Sequence, residues 1–267
     1  MKKLLTRTLT GLIYVGVILA SLLTHPVVLA FTSTFIVFMA IKELGPLLTK
    51  TEISKYWFFL TVLFFLAAVL WVCFYDRILV SLFPLILILI LTQAGAIYTK
   101  IKPVADYWVT SNFTLLYLII PLYLLNLIHK ISISEGIPFS LAVFILIWTN
   151  DTFAYLTGMA LGKHKLFERI SPKKTWEGLF GGILMTLIAT YVLYRFYPDL
   201  GIVKWLTFGL LTSIASVFGD FIESLLKRSA NVKNSGTLLP GHGGILDRID
   251  SLLLVIPVIY AFLLLII

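Results

Sequence analysis

The chain has 267 residues, of which 60% are hydrophobic and only 13% charged, about half the charged share of an ordinary soluble domain. With a mean hydropathy of +1.01 it has too little polar surface to face water. That excludes a soluble globular protein and points to an all-α, polytopic integral membrane protein. The formal net charge is +8 and the only cysteine is Cys73. An internal disulfide is therefore excluded, and a small buried hydrophobe is the plain reading of that thiol.

Nine apolar segments follow one another, at about 6–24, 26–45, 56–74, 78–98, 108–129, 139–162, 177–197, 202–225 and 249–267. Each is close to the ~20 residues a helix needs to cross the hydrocarbon layer, so about nine transmembrane helices are expected. A β-barrel would show short alternating segments instead. The boundary between the first two is marked only by His25-Pro26. Met1-Lys2-Lys3 resembles the charged start of a signal peptide, but no small-residue cleavage site follows, so the first segment is expected to be a retained helix.

Nine crossings place 17 of the 21 basic residues on one side and Arg77, Lys130, Arg195 and Lys204 on the other. By the positive-inside rule the richer side, which includes the amino terminus, is cytoplasmic. The +8 charge then belongs to one face, suited to anionic headgroups and nucleotide phosphates. Nucleic acid is not an expected partner, since no basic, aromatic-interleaved soluble module exists. Repeats and inverted pairs of broken helices, which would suggest a transporter, are not evident. The whole chain reads as one polytopic unit. Residues 1–138 look like scaffold, and 139–267 hold the catalytic helices and cytoplasmic loops.

In chain order, the first polar cluster of that second half is Asn150-Asp151-Thr152 with Tyr155, which interrupts the sixth segment. A capped hydrogen bond and a site role are equally open for Asp151. Ser171-Pro172-Lys173-Lys174-Thr175-Trp176-Glu177-Gly178 reads as a helix start, with Ser171 as cap and Pro172 in the first turn. Its lysines would make an anion site there, or only anchor the chain at the interface. Asp220, Glu223, Ser224 and Lys227 fall at i, i+3, i+4 and i+7, one stripe of a helix. Ionisable groups inside a spanning helix cost about 2.5–3.5 kcal/mol each and mark a functional site by default. Pro240-Gly241-His242-Gly243-Gly244 is a tight turn whose amides could face one anion. Asp247 and Asp250 follow, one helical turn apart at the mouth of the last segment. Their oxygens suit Mg²⁺, and zinc is not expected without cysteine or histidine ligands in register.

From Ser224 to Asp250 the chain resembles the signature of the phosphatidate cytidylyltransferases, or CDP-diacylglycerol synthases. Ser224, Lys227, Arg228, Lys233, Gly236, Pro240, His242, Gly243, Gly244, Asp247, Arg248 and Asp250 match it, and Ser171 to Gly178 is similar to the family's S-P-K-K-T-x-E-G. One position departs: Asn234 stands where the family has aspartate. The resemblance implies transfer of a cytidylyl group from CTP to phosphatidate at the cytoplasmic face of the inner (plasma) membrane. It also implies Mg²⁺, with a second metal or a monovalent cation left open, and a homodimer. Asp220, Asp247 and Lys227 are the expected catalytic residues. Asp220, Asp247, Asp250 and Glu223 are the expected metal ligands. Substrate binding is expected of Ser171, Lys173, Lys174, Thr175, Glu177, Arg228, Lys233, His242, Gly243, Gly244 and Arg248. A cation-coupled transporter would bury Asp151, Asp220 and Glu223 at a midplane site with internal symmetry, which is not seen. A scaffold binding anionic lipid would not need the aspartates. A CDP-alcohol phosphotransferase would need a D-G-x-x-A-R run that is absent.

Overall fold

The computed structural model describes residues 2–48, 55–74, 86–88, 90, 93, 104–134, 137–238, 241 and 243–266. Its helices are α1 (Lys2–Leu23), α2 (Pro26–Leu48), α3 (Lys55–Phe74), α4 (Val104–Thr114), α5 (Ile120–Lys130), α6 (Phe139–Leu161), α7 (Trp176–Phe196), α8 (Ile202–Ser229) and α9 (Leu246–Ile266). A single π-helical turn, Leu115–Ile119, joins α4 to α5. Among the described residues there are also two small antiparallel hairpins, β1 (Ser132–Ser134) with β2 (Ile137–Pro138) and β3 (Lys165–Phe167) with β4 (Ser171–Thr175).

The fold is thus all-α, as expected. Six helical stretches among the described residues are long and apolar enough to cross a membrane. All the apolar segments except 78–98 coincide with helices; that one lies mostly outside the described residues, so the count of nine is not established. Two helices, α2 and α9, hold an internal proline, Pro46 and Pro257, which spanning helices tolerate because neighbours re-satisfy the freed backbone.

The chain divides into two compact units, Met1–Lys130 with Ser229–Arg248, and Ile131–Arg228 with Ile249–Ile267. In the first unit α2 packs against α1, α3 and α5. Its core is apolar, with Leu29, Val37, Leu44, Phe65, Val69, Leu118, Leu122 and Ile128 buried. Buried Asn126 spends its amide on Ser33 Oγ (3.1 Å) and on the Leu122 carbonyl (2.8 Å), as a polar group away from water must. Lys130 Nζ donates to the Val72 carbonyl at 2.7 Å, where the last carbonyls of α3 lack helical partners.

In the second unit α6 and α7 lie closest. Apolar side chains are no more at home in protein than in lipid, so such pairs rely on small residues that let backbones approach. Asn150, Ala154, Gly158 and Gly162 fall on one stripe of α6 and its end. A Cβ at Gly178 would stand 2.7 Å from the Ala154 carbonyl and 3.2 Å from Gly158 Cα. The outer faces keep Leu184, Ile188, Val192, Val203, Leu210 and Ile214 exposed, an apolar coat suited to lipid. Helix α6 runs unbroken through Asn150-Asp151, because polar residues of α8 meet them.

The segment Ser171–Thr175 differs from expectation. It is strand β4, with Ser171 opposite Phe167 and Thr175 opposite Lys165, and the helix starts five residues after Ser171. Thr175 takes the cap position in extended backbone, its hydroxyl accepting the Gly178 amide at 3.2 Å. The fixed φ of Pro172 is as compatible with an edge strand as with a first helical turn, and pairing with β3 decides between them.

Candidate active site

In the second unit, α8 delivers the predicted stripe. The Ser224 hydroxyl donates to Asp220 Oδ1 at 3.1 Å, and Lys227 Nζ pairs with Glu223, whose side chain is fully buried. Lys174 of β4 forms an ion pair with Asp220, both about 70% covered, and its ammonium lies 4.7 Å from the centre of the Phe221 ring. Phe167 of β3 packs edge-on against Phe221 at 5.1 Å, and Arg228 Nε donates to the Ile170 carbonyl at 3.4 Å. Four contacts of different kinds therefore seat the β3–β4 hairpin on the polar end of α8. A lysine 46 positions before Asp220 in the chain becomes its immediate cation.

Helix α6 adds a second polar group. Asn150 Oδ1 accepts from the Ser213 hydroxyl at 2.5 Å, and Asp151 Oδ1 accepts from the Ser216 hydroxyl at 3.2 Å. Asp151 lies within electrostatic reach of Lys174 and Asp220. Asp250, whose carboxylate accepts the Ser251 amide at 2.8 Å, feels the negative charge of Asp220, Glu223 and Asp151. Four carboxylates face two ammonium groups here, Lys174 and Lys227. The carboxyl donors are all oxygens, the chemistry a hard cation such as Mg²⁺ prefers. Among the described residues no three His, Cys, Asp or Glu side chains stand in a metal-holding arrangement; Asp220 meets Lys174 instead.

The remaining predicted residues of the second unit have local partners. Ser171 opens β4, and Lys173 is exposed beside it. Thr175 caps α7. Glu177 accepts the backbone amides of Lys163 (3.1 Å) and His164 (3.3 Å) and meets His164 Nδ1 at 2.6 Å, which ties the end of α6 to the start of α7.

The first unit holds the glycine-rich loop and Asp247. Asp247 Oδ2 accepts the amides of Ser235 (3.1 Å) and Gly244 (2.9 Å). Gly243 has φ +85°, and a Cβ there would lie 2.6 Å from that same oxygen, so glycine is required. The Gly244 amide is thus directed at a carboxylate of its own chain rather than outward as an anion cradle would need. Lys233, Asn234 and Arg248 are exposed, and the Arg248 carbonyl accepts from Tyr14 of α1 at 3.1 Å. His242 and Pro240 lie outside the described residues. One residue escaped sequence reasoning altogether: Glu43 of α2 accepts from Ser235, Ile245 and Leu246. The only available signal was a lone carboxylate at the end of an apolar segment.

Comparison with known proteins agrees with the motifs. The model of the cytidylyltransferase family matches residues 5–266. A phosphatidate cytidylyltransferase of Staphylococcus epidermidis is 48% identical over 129 residues, covering 47% of this chain and 49% of the relative. The proteins of that name from Staphylococcus saprophyticus and Staphylococcus aureus are 47% identical over 129 residues and 44% identical over 128, with the same coverage. The chain thus spans about half the length of the curated relatives it matches.

Proposed function

The chain belongs to the cytidylyltransferase family, and from that premise we propose that it makes CDP-diacylglycerol and pyrophosphate from CTP and phosphatidate. The observation that carries this reading is the pairing of Lys174 with Asp220 within the group of carboxylates Asp151, Asp220, Glu223 and Asp250. It joins what a cation needs to what a phosphate needs. A phosphate-monoester oxygen of phosphatidate attacks the α-phosphorus of CTP. The bond between the α-phosphorus and the bridging oxygen breaks, and pyrophosphate leaves with that electron pair. The monoester's second pKa is near ~6, so the nucleophile is already an anion and no strong base is required. The residues must bring two anions together and offset their charge.

Asp220 and Asp247, supported by Asp250 and Glu223, would hold Mg²⁺. When bound, the ion would neutralise charge building up on the α-phosphate and the departing pyrophosphate. Lys173, Lys174, Lys227, Arg228, Lys233 and Arg248 would bind phosphate oxygens as point charges or forks. Ser171, Thr175 and Glu177 would hold the hairpin that presents the lysines, and His242, Gly243 and Gly244 would shape the nucleotide's side of the site. The acyl chains would stay in lipid. The 17-to-4 division of basic residues supports a cytoplasmic site and amino terminus in a plasma membrane. A homodimer belongs to the same reading, on the family resemblance alone.

Purified protein given radiolabelled CTP, phosphatidate and Mg²⁺ should release labelled CDP-diacylglycerol with one pyrophosphate per product. No lipid-soluble label above a boiled control would end the proposal.

A further inference from the structure

One carboxylate of the first unit, Glu43, belongs to none of the motifs yet accepts three hydrogen bonds. Glu43 lies near the end of α2, a helix otherwise almost wholly apolar. Its Oε1 accepts the Ile245 amide at 3.0 Å. Its Oε2 accepts the Leu246 amide at 2.9 Å and the Ser235 hydroxyl at 3.0 Å. Those partners lie 192 to 203 positions away in the chain.

Leu246 is the first residue of α9. The opening amides of a helix have no helical acceptor, and the positive end of the helix dipole gathers there. A cap is normally supplied locally by Ser, Thr, Asp or Asn. Here the residue before the helix is Ile245, which has no side-chain acceptor. Glu43 supplies the missing acceptor from another helix, as a charged one, which makes such bonds about twice as strong as neutral ones.

The same loop is gripped a second time. Ser235 gives its hydroxyl to Glu43 and its amide to Asp247, and Gly244 and Leu246 divide between the two carboxylates in the same way. A Cβ at Gly236 or Gly244 would run into the Glu43 carboxylate. Two glycines of the motif therefore make room for a carboxylate arriving from α2.

We propose that Glu43 is the positioning residue of this loop: it fixes Ser235 and, at the start of α9, Ile245 and Leu246, and through them the direction of the Asp247 carboxylate. It need not touch substrate. Without it the first turn of α9 loses its acceptor, Ser235 loses one of its two anchors, and Asp247 loses its fixed direction. The loop-holding part stands on geometry alone; the catalytic part rests on the cytidylyl-transfer reading.

Full-length Glu43→Gln, Glu43→Asp and Glu43→Ala proteins, purified in detergent, test both parts. Amide hydrogen exchange reads the loop, and initial rates with CTP, phosphatidate and Mg²⁺ read the reaction. Glu43→Gln should speed exchange over residues 235–247 and leave other regions unchanged. It should lower kcat by about 10–100-fold, the usual cost of removing a residue that orients a ligand, with KM for phosphatidate within about twofold. Glu43→Asp, which keeps the charge on a shorter stem, should recover part of both. The proposal is overturned if Glu43→Gln exchanges and turns over like the wild type, or if it loses activity with unchanged exchange. It is also overturned if all recoverable variants exchange faster along the whole chain, which would mean a folding role only. Should Glu43→Ala fail to fold, the nearly isosteric Glu43→Gln still decides. If the wild-type protein transfers no cytidylyl group, the function reading falls, and exchange alone decides the role of Glu43.

Discussion

Gly219→Ala adds one methyl group, and the structure says what it would meet. The new Cβ would stand 2.7 Å from the Asp250 carbonyl oxygen, 2.9 Å from Ser251 Cα and 3.1 Å from the Ser251 carbonyl oxygen. All three are backbone atoms of α9, so no side chain can swing aside. Ordinary contact begins at 3.4 Å, so the two helices must part locally by about 3.4 − 2.7 = 0.7 Å. Overpacking of this kind costs about 1–3 kcal/mol. At about 2–4 °C per kcal/mol for a chain of this size, Tm in detergent should fall by roughly 2–12 °C. The catalytic effect should be larger in proportion, because Asp220 follows Gly219 directly and Asp250 carries the carbonyl that is struck. Misplacing a reacting constellation by ~1 Å can cost about 100-fold, so a rate loss on the order of 10- to 100-fold is expected. The assay pairs a thermal melt with initial rates of labelled CDP-diacylglycerol formation. Gly16→Ala is the control, since nothing lies within 4 Å of a Cβ there. Wild-type rate and Tm for Gly219→Ala would show that the close approach of α8 to α9 does not set the carboxylates, and the reasoning would fail.

Lys174→Ala should cost at most about 1 kcal/mol of stability, because its pair with Asp220 is partly exposed, yet lower turnover about tenfold or more. Lys173→Ala should be milder in steady-state kinetics, and equal effects would argue against a special role for the Lys174–Asp220 pair. Thr175→Val removes the cap of α7 and should cost about 1 kcal/mol in a thermal melt, whereas Thr175→Ser should melt like the wild type. In a Cys73→Ala background, cysteines at Ser171 and Ser235 should be labelled by an impermeant reagent from the same side and one at Asp199 from the other. Labelling of positions 171 and 235 from opposite sides would refute the orientation read from charge.

The membrane class, the helical segments and the polar stripe on α8 were legible in the sequence because each depends on its own stretch of chain. Burial in lipid is decided segment by segment by apolar length, and the i, i+3, i+4, i+7 spacing of Asp220, Glu223, Ser224 and Lys227 already defines a helix face. The family motifs were legible for the same reason, being runs of neighbouring residues. Local pattern misled at Ser171-Pro172, where a good helix start lost to pairing with Lys165–Phe167, residues that lie outside the run Ser171 to Gly178. Only the tertiary structure decided that Lys174 would meet Asp220, that Ser213 and Ser216 would satisfy Asn150 and Asp151, and that Glu43 would cap a helix about two hundred residues away. Such contacts depend on where packed backbones place groups far apart in the chain. A hydrogen bond needs its partners within about 3 Å, and no spacing along a sequence encodes that distance.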